Sequence, residues 1–298
     1  MSQTAAFLRR VPPAVAWRVE ARTRGLRQRA RVMSAPVRVR PNFLIIGALK
    51  AGTTSLHRYL SDHPAVHCSS RKEVHYFSLG YPLGERWYLS HFPLETLAAT
   101  TRLRHGVRLA VGEATPAYLF DPRSPGRVHA FEPRMKLIVV LRDPVERAYS
   151  HFQMERETRD ETRSFEDALA WEEAELMPEL ERWVADPTYE SPLPLFGRSY
   201  VARGCYAEHL ERWLALFPRE QLLVLMSDEL LDDPARALSR VEQFLEVPEW
   251  QPPSYPQENV RAYPPMSRAT YDHLRRVFEP QDRRLEELLG LQLSWSRR

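Results

Sequence analysis

Short runs of apolar residues punctuate an otherwise polar chain. Phe43–Gly47 reads FLIIG, Lys136–Leu141 reads KLIVVL and Leu222–Met226 reads LLVLM. Runs this short, apolar on both faces, predict strands buried in a parallel sheet. Residues 107–112 make a weaker fourth candidate. Between the runs the spacing changes. Tyr206, Leu210, Trp213, Leu214 and Phe217 recur at three- and four-residue intervals, which predicts a helix just before the third strand. A turn rich in Gly and Thr follows the first strand, and a helix is expected over residues 53–60. Pro144 suits the first turn of a helix that would carry Arg147, Ser150 and Phe152. Residues 252–265 are rich in proline and read as a loop before a terminal helix over 267–289. Strands alternating with helices predict an α/β fold with a mainly parallel central sheet covered on both faces.

Composition changes this picture in one respect. Of 298 residues 43% are apolar, and the net charge is only +3. Residues 1–40 hold ten arginines against the single acid Glu20, a local +9, so residues 41–298 carry −6. The chain divides by charge into a basic N-terminal extension, 1–40, and a body, 41–298. An acidic body is a poor partner for nucleic acid. The extension is expected to be solvated, with weak contact to a membrane surface through Phe7, Leu8, Val15 and Trp17 as the alternative. No apolar stretch approaches the length of a membrane span, and the start lacks the pattern of a signal peptide, which together predict a cytoplasmic protein. Cys68 and Cys205 lack metal-ligand spacing and are expected as reduced thiols. No pattern sets an oligomeric state.

The chemistry is concentrated in Gly47-Ala48-Leu49-Lys50-Ala51-Gly52-Thr53-Thr54-Ser55. Backbone N–H groups of a glycine-bearing turn, aimed by a helix N-terminus, bind phosphate oxygens, and Thr53, Thr54 and Ser55 add hydroxyl donors. A nucleoside triphosphatase turn has lysine directly after the second glycine. Here Thr53 stands at that place and the lysine, Lys50, comes two residues before Gly52. The charge therefore enters from the turn itself. The rival reading, a P-loop kinase or nucleotide-binding protein, would require Mg²⁺ and ATP, and the displaced lysine speaks against it. A regulatory protein that binds nucleotide without turnover needs Lys50 and Arg142 but no base.

This turn resembles the 5′-phosphosulfate loop of the sulfotransferases that use 3′-phosphoadenosine 5′-phosphosulfate (PAPS), above all the heparan sulfate N- and O-sulfotransferase branch. The resemblance implies that Lys50 meets the bridging oxygen of the donor and that Ala51, Gly52, Thr53, Thr54 and Ser55 wrap its 5′-phosphate. Residues 141–152, LRDPVERAYSHF, resemble the family's 3′-phosphate motif, which implies that Arg142 and Ser150 grip that phosphate. An arginine leaving the carboxyl edge of a strand, with a planar fork of donors, suits that task. Residues 259–264, NVRAYP, resemble the late basic loop over the donor, but Arg261 alone survives from its basic run and the cysteine-bridged hairpin before it is absent. Residues 71–77, RKEVHYF, resemble the segment with the catalytic glutamate. That match implies Glu73 as general base, Lys72 as a cation beside the sulfate and His75 as a group orienting the acceptor.

Further matches, among them Thr115-Pro116-Ala117-Tyr118 and Gly204-Cys205-Tyr206, extend the resemblance over nearly the whole body. It implies a P-loop-like three-layer α/β/α fold and transfer of a sulfuryl group, without metal, from PAPS to a hydroxyl or amine of a glycan, lipid or small molecule, leaving 3′-phosphoadenosine 5′-phosphate (PAP). One departure bears on the acceptor. Glycosaminoglycan enzymes that modify hydroxyls carry a lysine just before the Thr-Pro pair, where this chain has Ala114.

Overall fold

The computed structural model describes residues 26–106, 109–158, 161–186, 188–191, 193–258 and 263–296. Phe7, Leu8, Val15 and Trp17 lie outside the described residues. Five strands, β1 (Phe43–Gly47), β2 (Val66–Cys68), β3 (Ala110–Ala114), β4 (Lys136–Leu141) and β5 (Leu222–Met226), form one parallel sheet in the order β2-β3-β1-β4-β5. Helices flank it in the three-layer α/β/α arrangement. Phe43, Leu44, Ile45 and Ile46 are all fully buried, as are Leu137 to Leu141, because strands covered on both faces have no polar side to show. Thr53–Asp62 packs beside β1, β2 and β3, and Pro234–Leu245 beside β5. Ala117–Phe120 packs against β1, and Tyr206–Leu214 touches both it and the terminal helix Arg268–Leu289.

The three strands with the clearest apolar runs form as expected. β3 spans Ala110–Ala114 and runs two residues past the expected end at 112, because its ladder starts opposite Val66 and lasts until Ala114 meets Ile45. Residues 107 and 108 of the expected strand lie outside the described residues. β2 was not anticipated: Val-His-Cys is too short to show an alternation.

Part of the basic segment lies against the body. From the helix Leu26–Met33, Arg31 Nε donates to the Ser90 carbonyl at 2.6 Å, and beyond it the Val39 N–H donates to the Pro93 carbonyl at 2.9 Å. Arg40 donates to the Phe131 carbonyl at 2.9 Å and stacks 4.1 Å above that ring. Among the described residues no helix is long and apolar enough to cross a membrane.

The strand order decides where a ligand can sit. From β1 the chain moves outward to β2, returns to β3 beside β1, and then crosses to β4 on the other side. The loops after β1 and β4 consequently part at the carboxyl edge and leave a crevice, the usual binding place in such sheets. Tight β1–β3 contact supports this edge. A Cβ on Gly112 would lie 2.3 Å from the Phe43 carbonyl oxygen and 2.7 Å from its ring. We expect Gly112→Ala to destabilise the fold by roughly 1–3 kcal/mol through overpacking, measured by urea denaturation; an unchanged midpoint would contradict the contact.

Candidate active site

The turn after β1 is held open by its neighbours. The Ala48 N–H donates to the Val140 carbonyl of β4 at 2.7 Å, and the Ala51 N–H to the Ala48 carbonyl at 3.2 Å. Lys50 and Gly52 take positive φ of 69° and 102°, which bends the chain back into the helix starting at Thr53. The first-turn N–H groups of a helix have no acceptor within it, so those of Thr53–Asp62 are presented at the crevice with the positive end of the helix dipole.

From the other side comes the loop after β4. The Arg142 carbonyl accepts from Tyr206 Oη at 3.0 Å, while its Nη1 donates to the Lys50 carbonyl at 3.3 Å. Asp143 Oδ1 accepts from the Val145 N–H at 2.9 Å and from Arg275 Nη1 at 3.0 Å, which fixes the start of the helix Pro144–Thr158. Ser150, 5% exposed, sits two turns along that helix. In the resting site Arg142 faces Glu146 at 3.6 Å.

Both loops line one cavity of about 530 Å³. Its wall includes Lys50, Gly52, Thr53, Thr54, Ser55, Arg142 and Ser150, together with Lys72 and Glu73 from the loop after β2. Ala51 is fully buried behind the turn. His75 is not on the wall but reaches it through Glu73. Arg261 lies outside the described residues.

Lys72, Glu73 and His75 form a compact charge cluster. Glu73 Oε1 is 3.3 Å from Lys72 Nζ, and Oε2 is 3.2 Å from His75 Nε2. Burial pushes the Glu73 carboxyl up, but the His75 hydrogen bond and charge, aided by Lys72, more than offset this and hold it down at about 2. Both Glu73 and His75 have positive φ, 24° and 59°. Left-handed backbone at non-glycine residues is sparsely populated and concentrates at functional sites.

The sequence reading missed a third side of the cavity. Ser227, Asp228 and Leu231 follow β5, and Gln257 and Glu258 come from the proline-rich loop. That loop is tied down by the Glu258 N–H donating to Ser55 Oγ at 3.0 Å. The signal for Ser227 and Asp228 was present: β5 was recognised, and its carboxyl end must open onto the same edge. Nothing in the pattern of residues 252–258 marked them.

The sequence model described as "Sulfotransferase domain" matches residues 40–263. The solved structure of a sulfotransferase from Alicyclobacillus acidocaldarius aligns with a TM-score of 0.63 at 36% identity, covering 87% of this chain and all of that one. The membrane-associated sulfotransferase kil1 of Dictyostelium discoideum is 28% identical over 86% of this chain and 66% of its own. Bifunctional heparan sulfate N-deacetylase/N-sulfotransferase 3 of Homo sapiens is 33% identical over 70% of this chain but 22% of its own. The chain thus spans about two thirds of the former relative and about a fifth of the latter.

The charge cluster has a measurable consequence. A carboxyl depressed from 4.5 contributes stability above that pH and loses it as pH falls toward 2. The ¹³C carboxyl resonance of Glu73 is expected to titrate with a midpoint near 2, and to move upward in His75→Ala. A midpoint at the ordinary glutamate value in the unaltered protein would show that the cluster does not form.

Proposed function

The chain belongs to the sulfotransferase family, and on that premise we propose that its donor is PAPS and its acceptor a hydroxyl or amine of a glycan, lipid or small molecule. One observation carries the choice of donor. A single crevice has two separate sets of cation and hydroxyl: Lys50 with Thr53, Thr54 and Ser55 on one side, Arg142 with Ser150 on the other. A nucleotide with phosphates at both ends of its ribose matches two such sets, whereas a triphosphate would use one. Ser227, Asp228 and Leu231, on the wall of the same cavity at the β5 end, would face the nucleoside.

In this reading the residues divide the work of an in-line displacement, in which positioning and charge stabilisation supply most of the catalysis. The turn and Thr53 to Ser55 hold the 5′-phosphate end. Glu73 accepts the proton of the acceptor as the new bond to sulfur forms. The bond from sulfur to the 5′-phosphate oxygen breaks, and Lys50 neutralises the charge that returns to that oxygen. Lys72 balances the equatorial sulfate oxygens. His75, bonded to Glu73, fixes which carboxylate oxygen faces the acceptor.

For the acceptor, the names of the human and mouse relatives specify heparan sulfate. Here Ala114 occupies the place of the acceptor lysine and is itself fully buried, and the body is acidic. A weakly charged acceptor fits this surface better than a polyanion, since like charges oppose approach.

Two experiments test the reading. Calorimetry with PAP and with 5′-AMP should show that Arg142→Ala weakens PAP by about tenfold to a hundredfold, as loss of a charge-assisted phosphate contact implies, and 5′-AMP little. Equal losses for both nucleotides would take the 3′-phosphate away from Arg142. Glu73→Gln should still bind PAP while transfer of radiolabelled sulfuryl to a panel of glycans, phenols and lipids falls by about two to four orders of magnitude; undiminished transfer would remove Glu73 as the base.

A further inference from the structure

Glu113 is a carboxylate in the interior of the sheet, on β3 between β1 and β2, with no exposed surface. Its hydrogen-bond partners are two hydroxyls and a backbone N–H, and the charge of His75 also acts on it. Thr115 Oγ1 donates to Glu113 Oε2 at 2.6 Å, Tyr118 Oη donates to Oε1 at 2.6 Å, and the Val74 N–H points at Oε2 from 3.3 Å. The two hydroxyls also accept. Thr115 Oγ1 takes the His75 N–H at 3.3 Å, and Tyr118 Oη takes the Phe77 N–H at 3.4 Å.

A backbone N–H can only donate, so each hydroxyl accepts from the loop, and its own proton is left to be donated to the carboxylate. Three N–H groups of the segment carrying Glu73 and His75 thus terminate on one buried carboxylate, one directly and two through a hydroxyl. Thr115 is itself placed by β1, its N–H donating to the Ile45 carbonyl at 3.0 Å. The path runs unbroken from the central strand to the His75 backbone.

We propose that Glu113 is a positioning residue: through Thr115 and Tyr118 it holds the segment 73–77, with the left-handed backbone of Glu73 and His75, so that Glu73 faces the crevice and His75 backs it. Glu113 itself touches no reacting atom. An ionised carboxylate can accept from all three donors at once. Burial pushes the Glu113 carboxyl up, against the pull of Thr115, Tyr118, the charge of His75 and the Val74 N–H. Glutamine has the shape but not the charge, and its amide would face a hydroxyl proton.

This inference rests on Glu73 being the base, and its test reads the loop separately from the chemistry. Amide hydrogen exchange, resolved by residue, would be measured in Thr115→Val, which keeps the shape and deletes the relay, and in Thr115→Ser, which keeps the hydroxyl. In Thr115→Val the His75 amide should exchange about tenfold faster, the worth of one hydrogen bond, with Gly52 to Ser55 unchanged, and Thr115→Ser should restore it. With an acceptor that the unaltered chain sulfates, Thr115→Val and Glu113→Gln should lose about a hundredfold in kcat, as a small misplacement of reacting groups does, at an unchanged KM for PAPS. Exchange and kcat that match the unaltered protein in Thr115→Val, or equal losses in Thr115→Val and Thr115→Ser, would overturn the proposal. Failure of the unaltered chain to bind PAP would instead strike the donor assignment and leave the exchange result standing.

Discussion

The parallel pairing of β1 with β4 is the constraint from which the site follows. Ile45 lies opposite Ile138, and the ladder continues past the end of β1 when the Ala48 N–H reaches the Val140 carbonyl. Two loops far apart in sequence therefore begin side by side, with the Arg142 guanidinium on the Lys50 carbonyl. Had β3 stood between β1 and β4, the same two motifs would occupy different crevices and could not share a ligand. Side-chain chemistry at residues 50 and 142 is usable because the strand order brings them together, and that order is enforced by strands that can be buried only in the middle of a sheet.

Such an edge is costly to maintain. Lys50, Glu73 and His75 all hold left-handed backbone, at about 1–3 kcal/mol each for strained positions of this kind. The fourth non-glycine residue of this type, Glu246, simply ends the helix Pro234–Leu245 and is ordinary there. Against a net stability of about 5–15 kcal/mol for a typical domain, the three site residues are a serious load. They are sustained by being bound from behind: Lys50 between β4 and the Thr53 helix, the Glu73 loop by the buried oxygens of β3 and its following turn. Rigidity at the crevice is supplied by the sheet, not by the loops.

That division explains what could be read from the chain. The apolar runs of β1, β4 and β5 are long enough to announce themselves, and Lys50, Arg142 and Ser150 stand in motifs that resemble a family's donor site; the structure places all three on one cavity. Their assigned roles remain proposals of chemistry. β2 was invisible because three residues show no period, and the end of β3 was expected two residues early because its sequence, Ala-Val-Gly-Glu-Ala, is weakly apolar. Glu113 in particular argues against a buried strand when only hydropathy is weighed. It becomes intelligible once Thr115, Tyr118 and the Val74 N–H are seen around it, which no local pattern records. Glu258 reaches the site through a bond to Ser55 two hundred residues away, a contact without any local signature.

The resting electrostatics also bear on the order of events. Lys72 is engaged with Glu73, and Arg142 with Glu146, so two of the cations that would receive an anionic donor already hold a carboxylate. An anion entering the crevice competes for them. As Lys72 turns toward it, Glu73 loses part of what holds its carboxyl near 2 and gains a negative neighbour, and both changes raise its proton affinity. An anion bound in the crevice would thus raise the proton affinity of the Glu73 carboxyl.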